Sequence, residues 1–249
     1  MKLLFTWFAC LFLACGAIAA DARVYELRTY TAEPGKRADL IARLEGASPL
    51  FEKHGMTRVV FWTPTDDADA VQNTVVYILS HKDRETARAS WKAFLDDPDW
   101  VALRDRNEAN GKVITKVQSV FLGATDYSPE ILTKSSKPAG VFELRTYTAG
   151  EGKLAGLDER FRRHTMKLFE KHGMVNGGYF HPLDADKGGG TTLVYWLAHD
   201  SRDAATASWK AFGSDPEWVK VKTESEQDGK LAVNVKSLFL RPLPYSPLK

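Results

Sequence analysis

Polar and apolar positions alternate from Val24 to Thr31: Tyr25, Leu27 and Thr29 point one way along a strand, and Glu26, Arg28 and Tyr30 point the other. A glycine turn at Gly35 leads into a helix that stops at Gly55, where glycine supplies the left-handed residue past a helix end. Strands Thr57–Thr63 and Thr74–Ser80 flank a polar segment containing Asp66-Asp67-Ala68-Asp69. A second helix is capped by Asp83 and buries Ala87, Trp91 and Phe94 at helical spacing. Asp97-Pro98 restarts it, with Asp as cap and Pro in the first turn, where no N–H is needed. Trp100 follows inside that restarted helix, and a last strand covers Val113–Leu122. The order is strand, helix, strand, strand, helix, strand.

The whole pattern then returns. VYELRTYTAEPGK at Val24–Lys36 recurs as VFELRTYTAGEGK at Val141–Lys153, a shift of 141 − 24 = 117. LFEKHGM at Leu50–Met56 recurs at Leu168–Met174, a shift of 168 − 50 = 118, and SWKAF, DPDW/DPEW and YSP keep that shift. One residue is therefore gained between Lys36 and Leu50. In the second copy the strands are Val141–Thr148, Asn176–Pro182, Thr191–Ala198 and Leu231–Leu240. Its first helix carries Leu154, Leu157, Phe161, His164 and Leu168 as one apolar stripe and ends at Gly173. Its second is capped by Ser201, buries Ala205, Trp209 and Phe212, and restarts at Asp215-Pro216. The division is a leader at 1–19, a first repeat at 22–127, a linker at 128–139 holding Ser135-Ser136-Lys137-Pro138, and a second repeat at 140–247.

A βαββαβ unit with helices on one sheet face is ferredoxin-like. The other face needs a cover, because an exposed apolar sheet face aggregates. The expected fold class is α+β: two tandem ferredoxin-like repeats whose sheets face each other as an intrachain pair, like a dimeric α/β barrel. The linker is long enough for swapped pairing between two chains as well, and further homo-oligomer formation stays open.

ELRTYT…G-K, FEKHGM and WKAF…DPEW, in that order and in both copies, resemble the NIPSNAP family. The resemblance covers nearly all of the chain after the leader. It implies the dimeric α/β-barrel superfamily, which includes small cofactor-free monooxygenases and haem enzymes. It implies paired domains and a cavity between sheets, but no particular reaction.

Composition narrows the chemistry. The leader has one Lys, an unbroken apolar run and Ala17-Ile18-Ala19 before Ala20, the grammar of a cleaved secretory signal. The expected location is periplasmic or secreted. Cys15 leaves lipidation as an alternative. Both cysteines, Cys10 and Cys15, lie in the leader, so the exported chain would have no disulfide, thiol nucleophile or thiolate metal site. The formal charge of +2, with no basic stripe, points away from nucleic acid. No stable membrane anchor is expected after cleavage.

Candidate site residues follow from the faces. With Tyr25 and Leu27 placed under the helices, Glu26, Arg28 and Tyr30, and likewise Glu143, Arg145 and Tyr147, would line the cleft between the sheets. One reading is a structural ion pair that fixes sheet docking. The other is an Arg that holds an anionic or carbonyl oxygen while Tyr or Glu moves a proton. His164 has no counterpart in the first repeat, where the helix reads RLEGASPLF. There Pro49 would cost a helix hydrogen bond and Ser48 could cap a restarted turn. His164 is either a core histidine or an acid–base group, with Arg145 and Tyr147 as its partners in any catalysis. His54 and His172 precede the terminal glycines, where a cation favours the helix end; a cleft-facing ring is the alternative.

No HExxH, nucleophile elbow or phosphate loop is present, and no metal site is expected. No cofactor is expected either, although haem on His164 stays open. The half of the aromatic residues in strands two and three that faces away from the helices would furnish an apolar cleft. Three readings follow: an exported protein that binds a small apolar or aromatic molecule between its sheets, a scaffold whose sheets only seal each other, and a cofactor-independent oxygenase or isomerase. A cavity between the sheets supports the first and third; a filled interface supports the second.

Overall fold

A computed structural model describes residues 23–65, 69–131 and 140–249. The leader with Cys10 and Cys15, Asp66–Ala68, and linker residues 132–139 lie outside the described residues. The strands are β1 Val24–Ala32, β2 Thr57–Pro64, β3 Thr74–His81, β4 Ile114–Ala124, β5 Val141–Ala149, β6 Val175–Pro182, β7 Thr192–His199 and β8 Ala232–Pro242. The helices are α1 Arg37–Lys53, α2 Asp69–Gln72, α3 Arg84–Leu95, α4 Pro98–Asn107, α5 Leu154–Arg160, α6 Met166–Lys171, α7 Arg202–Ser214 and α8 Pro216–Ser225. No helix among the described residues is long and apolar enough to cross a membrane.

The caps act as the sequence implies. Asp83 accepts from the Thr86 N–H at 2.7 Å and Ser201 from the Ala204 N–H at 3.0 Å. Asp97 and Asp215 cap α4 and α8 by accepting from Asp99 and Glu217, with Pro98 and Pro216 in the first turns.

Each repeat is an antiparallel sheet, β4-β1-β3-β2 and β8-β5-β7-β6. The two sheets do more than face each other. β2 pairs with β8 through Trp62↔Pro242 to Pro64↔Leu240, and β4 pairs with β6 through Leu122↔Pro182 to Ala124↔Phe180. These short ladders close one eight-stranded barrel within the chain. Closure satisfies the edge groups of both sheets at those ends, which facing alone would leave unpaired.

The barrel interior is apolar and filled. Tyr25 and Leu27 point into it, beside Trp62, Val76, Ile78, Phe142, Leu144, Phe180 and Trp196 from both repeats. Trp62 meets Phe142 at 5.4 Å and Trp196 at 5.8 Å between ring centroids, and Trp196 stacks on Phe180 at 5.2 Å. Trp196 also lies over the backbone of β6: a Cβ added at Gly177 would stand 1.9 Å from its Nε1. The first repeat has Val59, Val60 and Ile78 where the second has Gly177, Gly178 and Trp196, so strand and facing side chain exchange bulk.

This placement reverses the expected faces. Glu26, Arg28 and Tyr30 lie under their own helices and not between the sheets, and so do Glu143, Arg145 and Tyr147. The physical reason is partner supply. A closed apolar barrel offers a buried carboxylate nothing to bind. The helix-covered face offers an indole N–H, an imidazole and a hydroxyl.

The first helices of the repeats differ by one turn. α1 runs unbroken for 17 residues through Pro49, and Ser48 Oγ donates to the Leu44 carbonyl at 3.0 Å instead of capping a restart. In the second copy a π turn, Phe161–Thr165, separates α5 from α6. A π turn is what one inserted residue makes of a helix. Here it absorbs the change of shift from 117 to 118: Leu40, Arg43 and Leu44 match Leu157, Arg160 and Phe161, while Leu50 and Phe51 match Leu168 and Phe169. The turn also moves the stripe, so Thr165 is buried and His164 is only half-buried. The expectation that His164 sits on the apolar stripe is corrected accordingly.

Candidate functional site

β1 presents Glu26, Arg28 and Tyr30 to the underside of α3. The Glu26 carboxylate is 2 % exposed and pairs with Arg28. It also accepts from Trp91 Nε1 at 2.6 Å and Ser119 Oγ at 2.6 Å, and lies 3.2 Å from His81 Nε2. Burial opposes its ionisation, but His81, Arg28, Ser119 and Trp91 outweigh that and hold its pKa at about 2. Arg28 donates to the Tyr30 hydroxyl at 2.9 Å, and its guanidinium carbon sits 4.1 Å from the Trp91 ring centroid. Burial works against its charge, yet Tyr77, Tyr30 and Glu26 raise its pKa above the usual guanidinium value. Three buried polar atoms of this nest, Arg28 Nε, His81 Nδ1 and the Tyr77 hydroxyl, make no hydrogen bond.

The nest repeats. Glu143 pairs with Arg145, accepts from Trp209 at 2.6 Å and Ser237 at 2.6 Å, and lies 3.2 Å from His199. Its pKa is likewise about 2: burial resists, and His199, Arg145, Ser237 and Trp209 prevail. Arg145 donates to Tyr147 at 3.0 Å and stacks on Trp209 at 4.1 Å.

Helical spacing marks Trp91 and Trp209 as core residues, and nothing local in the sequence marks His81, His199, Ser119 or Ser237. All of them recur at the shift of 118. His81, moreover, shares strand parity with Tyr77, on the helix-covered face. Recurrence of a polar side chain on that face was the available signal.

A pocket of about 330 Å³ opens beside the first nest. Arg28 and Tyr30 form its polar corner. Leu44, Phe51, Trp91, Phe94 and Trp100 form its apolar wall, and Leu95, Ile114 and Val117 edge it. The wall is braced by rings: Phe51 stacks on Phe94 at 5.0 Å, and Phe94 meets Trp100 at 4.6 Å. In the second repeat Phe161 replaces Leu44, and Gly213 and Ala232 replace the edge residues Leu95 and Ile114. Phe161 packs edge-on against Tyr147 at 5.9 Å.

His164 is elsewhere. It lines a groove of about 360 Å³ between the π turn and α8, with Gly156, Glu159, Arg160, Arg163, Glu224, Ser225, Val221 and Leu231. The groove contains neither Arg145 nor Tyr147, so the three candidates for catalysis are not assembled. Haem does not fit it: Glu159, Arg160, Arg163 and Glu224 line it, and only Val221 and Leu231 offer the branched apolar surface that a macrocycle would need. No cluster of three metal-ligating side chains occurs among the described residues. His54 and His172 tie each first helix to the next cap, with Nε2 to Asp97 at 2.6 Å and to Asp215 at 2.7 Å. Hydrogen bonds from Lys53 and His54, and from Lys171 and His172, hold both aspartates below the usual carboxylate range.

Comparison with known proteins agrees with the duplicated architecture. The NIPSNAP family model matches twice, at residues 25–129 and 142–247. No curated protein matches the chain. Among solved structures, a protein from Lactobacillus acidophilus provisionally named a monooxygenase is similar at 11 % identity, covering 89 % of this chain and 94 % of that one, with a TM-score of 0.58. Another so named, from Fusobacterium nucleatum, has 11 % identity, 89 % and 93 % coverage and a TM-score of 0.55. Chlorite dismutase from Candidatus Nitrospira defluvii has 9 % identity, 90 % and 92 % coverage and a TM-score of 0.53. At these identities the likeness is one of fold.

Proposed function

The chain belongs to the NIPSNAP family, and from that premise and the geometry of the first repeat we propose that it is an exported protein that binds one small, largely apolar molecule beneath the helices of that repeat. The observation that carries the reading is the ring-walled pocket of about 330 Å³ with Arg28 and Tyr30 at one corner. Pockets of that size with an apolar wall and few polar groups suit small molecules. The expected cleft between the sheets gives way to this position, because Trp62, Phe142, Phe180 and Trp196 fill the barrel. Export rests on the leader sequence alone.

The filled barrel favours a second reading, a scaffold whose sheets seal each other and whose function lies on the outside. Native mass spectrometry of protein purified from its source organism separates the two. A small-molecule mass carried by the wild type and lost in Val117→Trp, which crowds the exposed pocket edge, supports binding. A bare mass in both proteins supports the scaffold.

A further inference from the structure

We infer that the pocket's ligand is an uncharged aromatic compound that offers a hydrogen-bond acceptor, such as an aryl ketone, to the Tyr30 hydroxyl; this rests on the binding reading above. Tyr30 oxygen already accepts from Arg28 at 2.9 Å. A phenol has one O–H left to donate, and Tyr30 lines the pocket. The polar corner therefore presents a donor.

Arg28 is the one charged residue among those lining the pocket, and the Glu26 carboxylate already matches it. His81 faces Glu26 and does not line the pocket, and Tyr77 is kept neutral by burial. An entering carboxylate would lose its water to meet a cation that is already neutralised. An ammonium would face a donor and a guanidinium. A plain hydrocarbon would displace water from the Tyr30 O–H and leave it without a partner, which is costly. A neutral ring with one acceptor satisfies the corner and the four aromatic side chains of the wall, Phe51, Trp91, Phe94 and Trp100.

Equilibrium dialysis of the whole protein against 2-acetylnaphthalene, 2-naphthoate and 2-ethylnaphthalene tests this. The ketone should bind about tenfold tighter than the carboxylate and about fivefold tighter than the hydrocarbon. Tyr30→Phe should remove the ketone's advantage over the hydrocarbon, weakening ketone binding and relieving the hydrocarbon of an unpaired O–H. Naphthoate binding as tightly as the ketone, or a ketone advantage that survives Tyr30→Phe, overturns the inference and leaves the pocket reading standing. If none of the three binds, or if Val117→Trp does not weaken binding, the pocket reading falls and the inference with it.

Discussion

The Arg28 guanidinium lies 4.1 Å from the centre of the Trp91 ring, while the N–H of that same indole donates to Glu26 at 2.6 Å. One side chain thus serves both members of a buried ion pair. Trp209 serves Arg145 and Glu143 in the same way. Trp91→Phe keeps a ring beneath the guanidinium but removes the donor. It should lower stability in urea unfolding by about 1–3 kcal/mol, and Trp91→Leu should cost more. Equal stability of the Phe variant and the wild type would mean that the indole N–H contributes nothing.

The nests make the protein acid-sensitive over a defined range. Glu26 and Glu143 have folded pKa values of about 2 against 4.5 for a free carboxyl. A depressed carboxyl stabilises the fold above the unfolded value, and that contribution is lost as pH falls from 4.5 toward 2. Each shift corresponds to about 3 kcal/mol. Glu26→Gln should reduce the pH dependence of unfolding free energy in this window without abolishing it, because Glu143, Asp97 and Asp215 remain depressed. At pH 7 it should destabilise by about 3–5 kcal/mol, because Arg28 stays buried without its partner. A wild type equally stable at pH 5 and pH 2.5 would contradict this.

Trp196 and Gly177 form a matched pair inside the barrel. Gly177→Ala drives a Cβ against the indole and should cost about 1–3 kcal/mol. Gly177→Val combined with Trp196→Ile recreates the Val59 and Ile78 pairing of the first repeat and should recover part of that loss. A double-mutant cycle measures the coupling, and strict additivity would show that the two positions do not compensate.

The duplication, the βαββαβ order and the paired sheets were legible in the chain because periodicity and the constant shift report them directly. Face assignment was not. Alternation separates Tyr25 from Glu26 but does not say which of them meets the helices, and an apolar residue suits either side. Deciding it required knowing that Trp91, His81 and Ser119, up to 93 residues from Glu26 in sequence, converge on one carboxylate. Helical spacing likewise put His164 in the core, since a regular 3.6-residue period cannot register one turn of π geometry.

That turn can be removed. Deleting His164 should convert Phe161–Thr165 to ordinary helix, as in α1, and shift the melting temperature by no more than about 4 °C. Deleting buried Ala47 from the unbroken α1 should unfold the first repeat, because every later side chain rotates off its face. Circular dichroism melts compare the two, and equal damage would refute the insertion account of the turn.

A crystal structure of the complex with 2-acetylnaphthalene is the most direct test of where this protein binds. The expected result is ligand density beside Phe51 and Trp91 with the ketone oxygen within hydrogen-bond distance of the Tyr30 hydroxyl. Density inside the barrel among Trp62, Phe142 and Trp196, or in the groove beside His164, would contradict it.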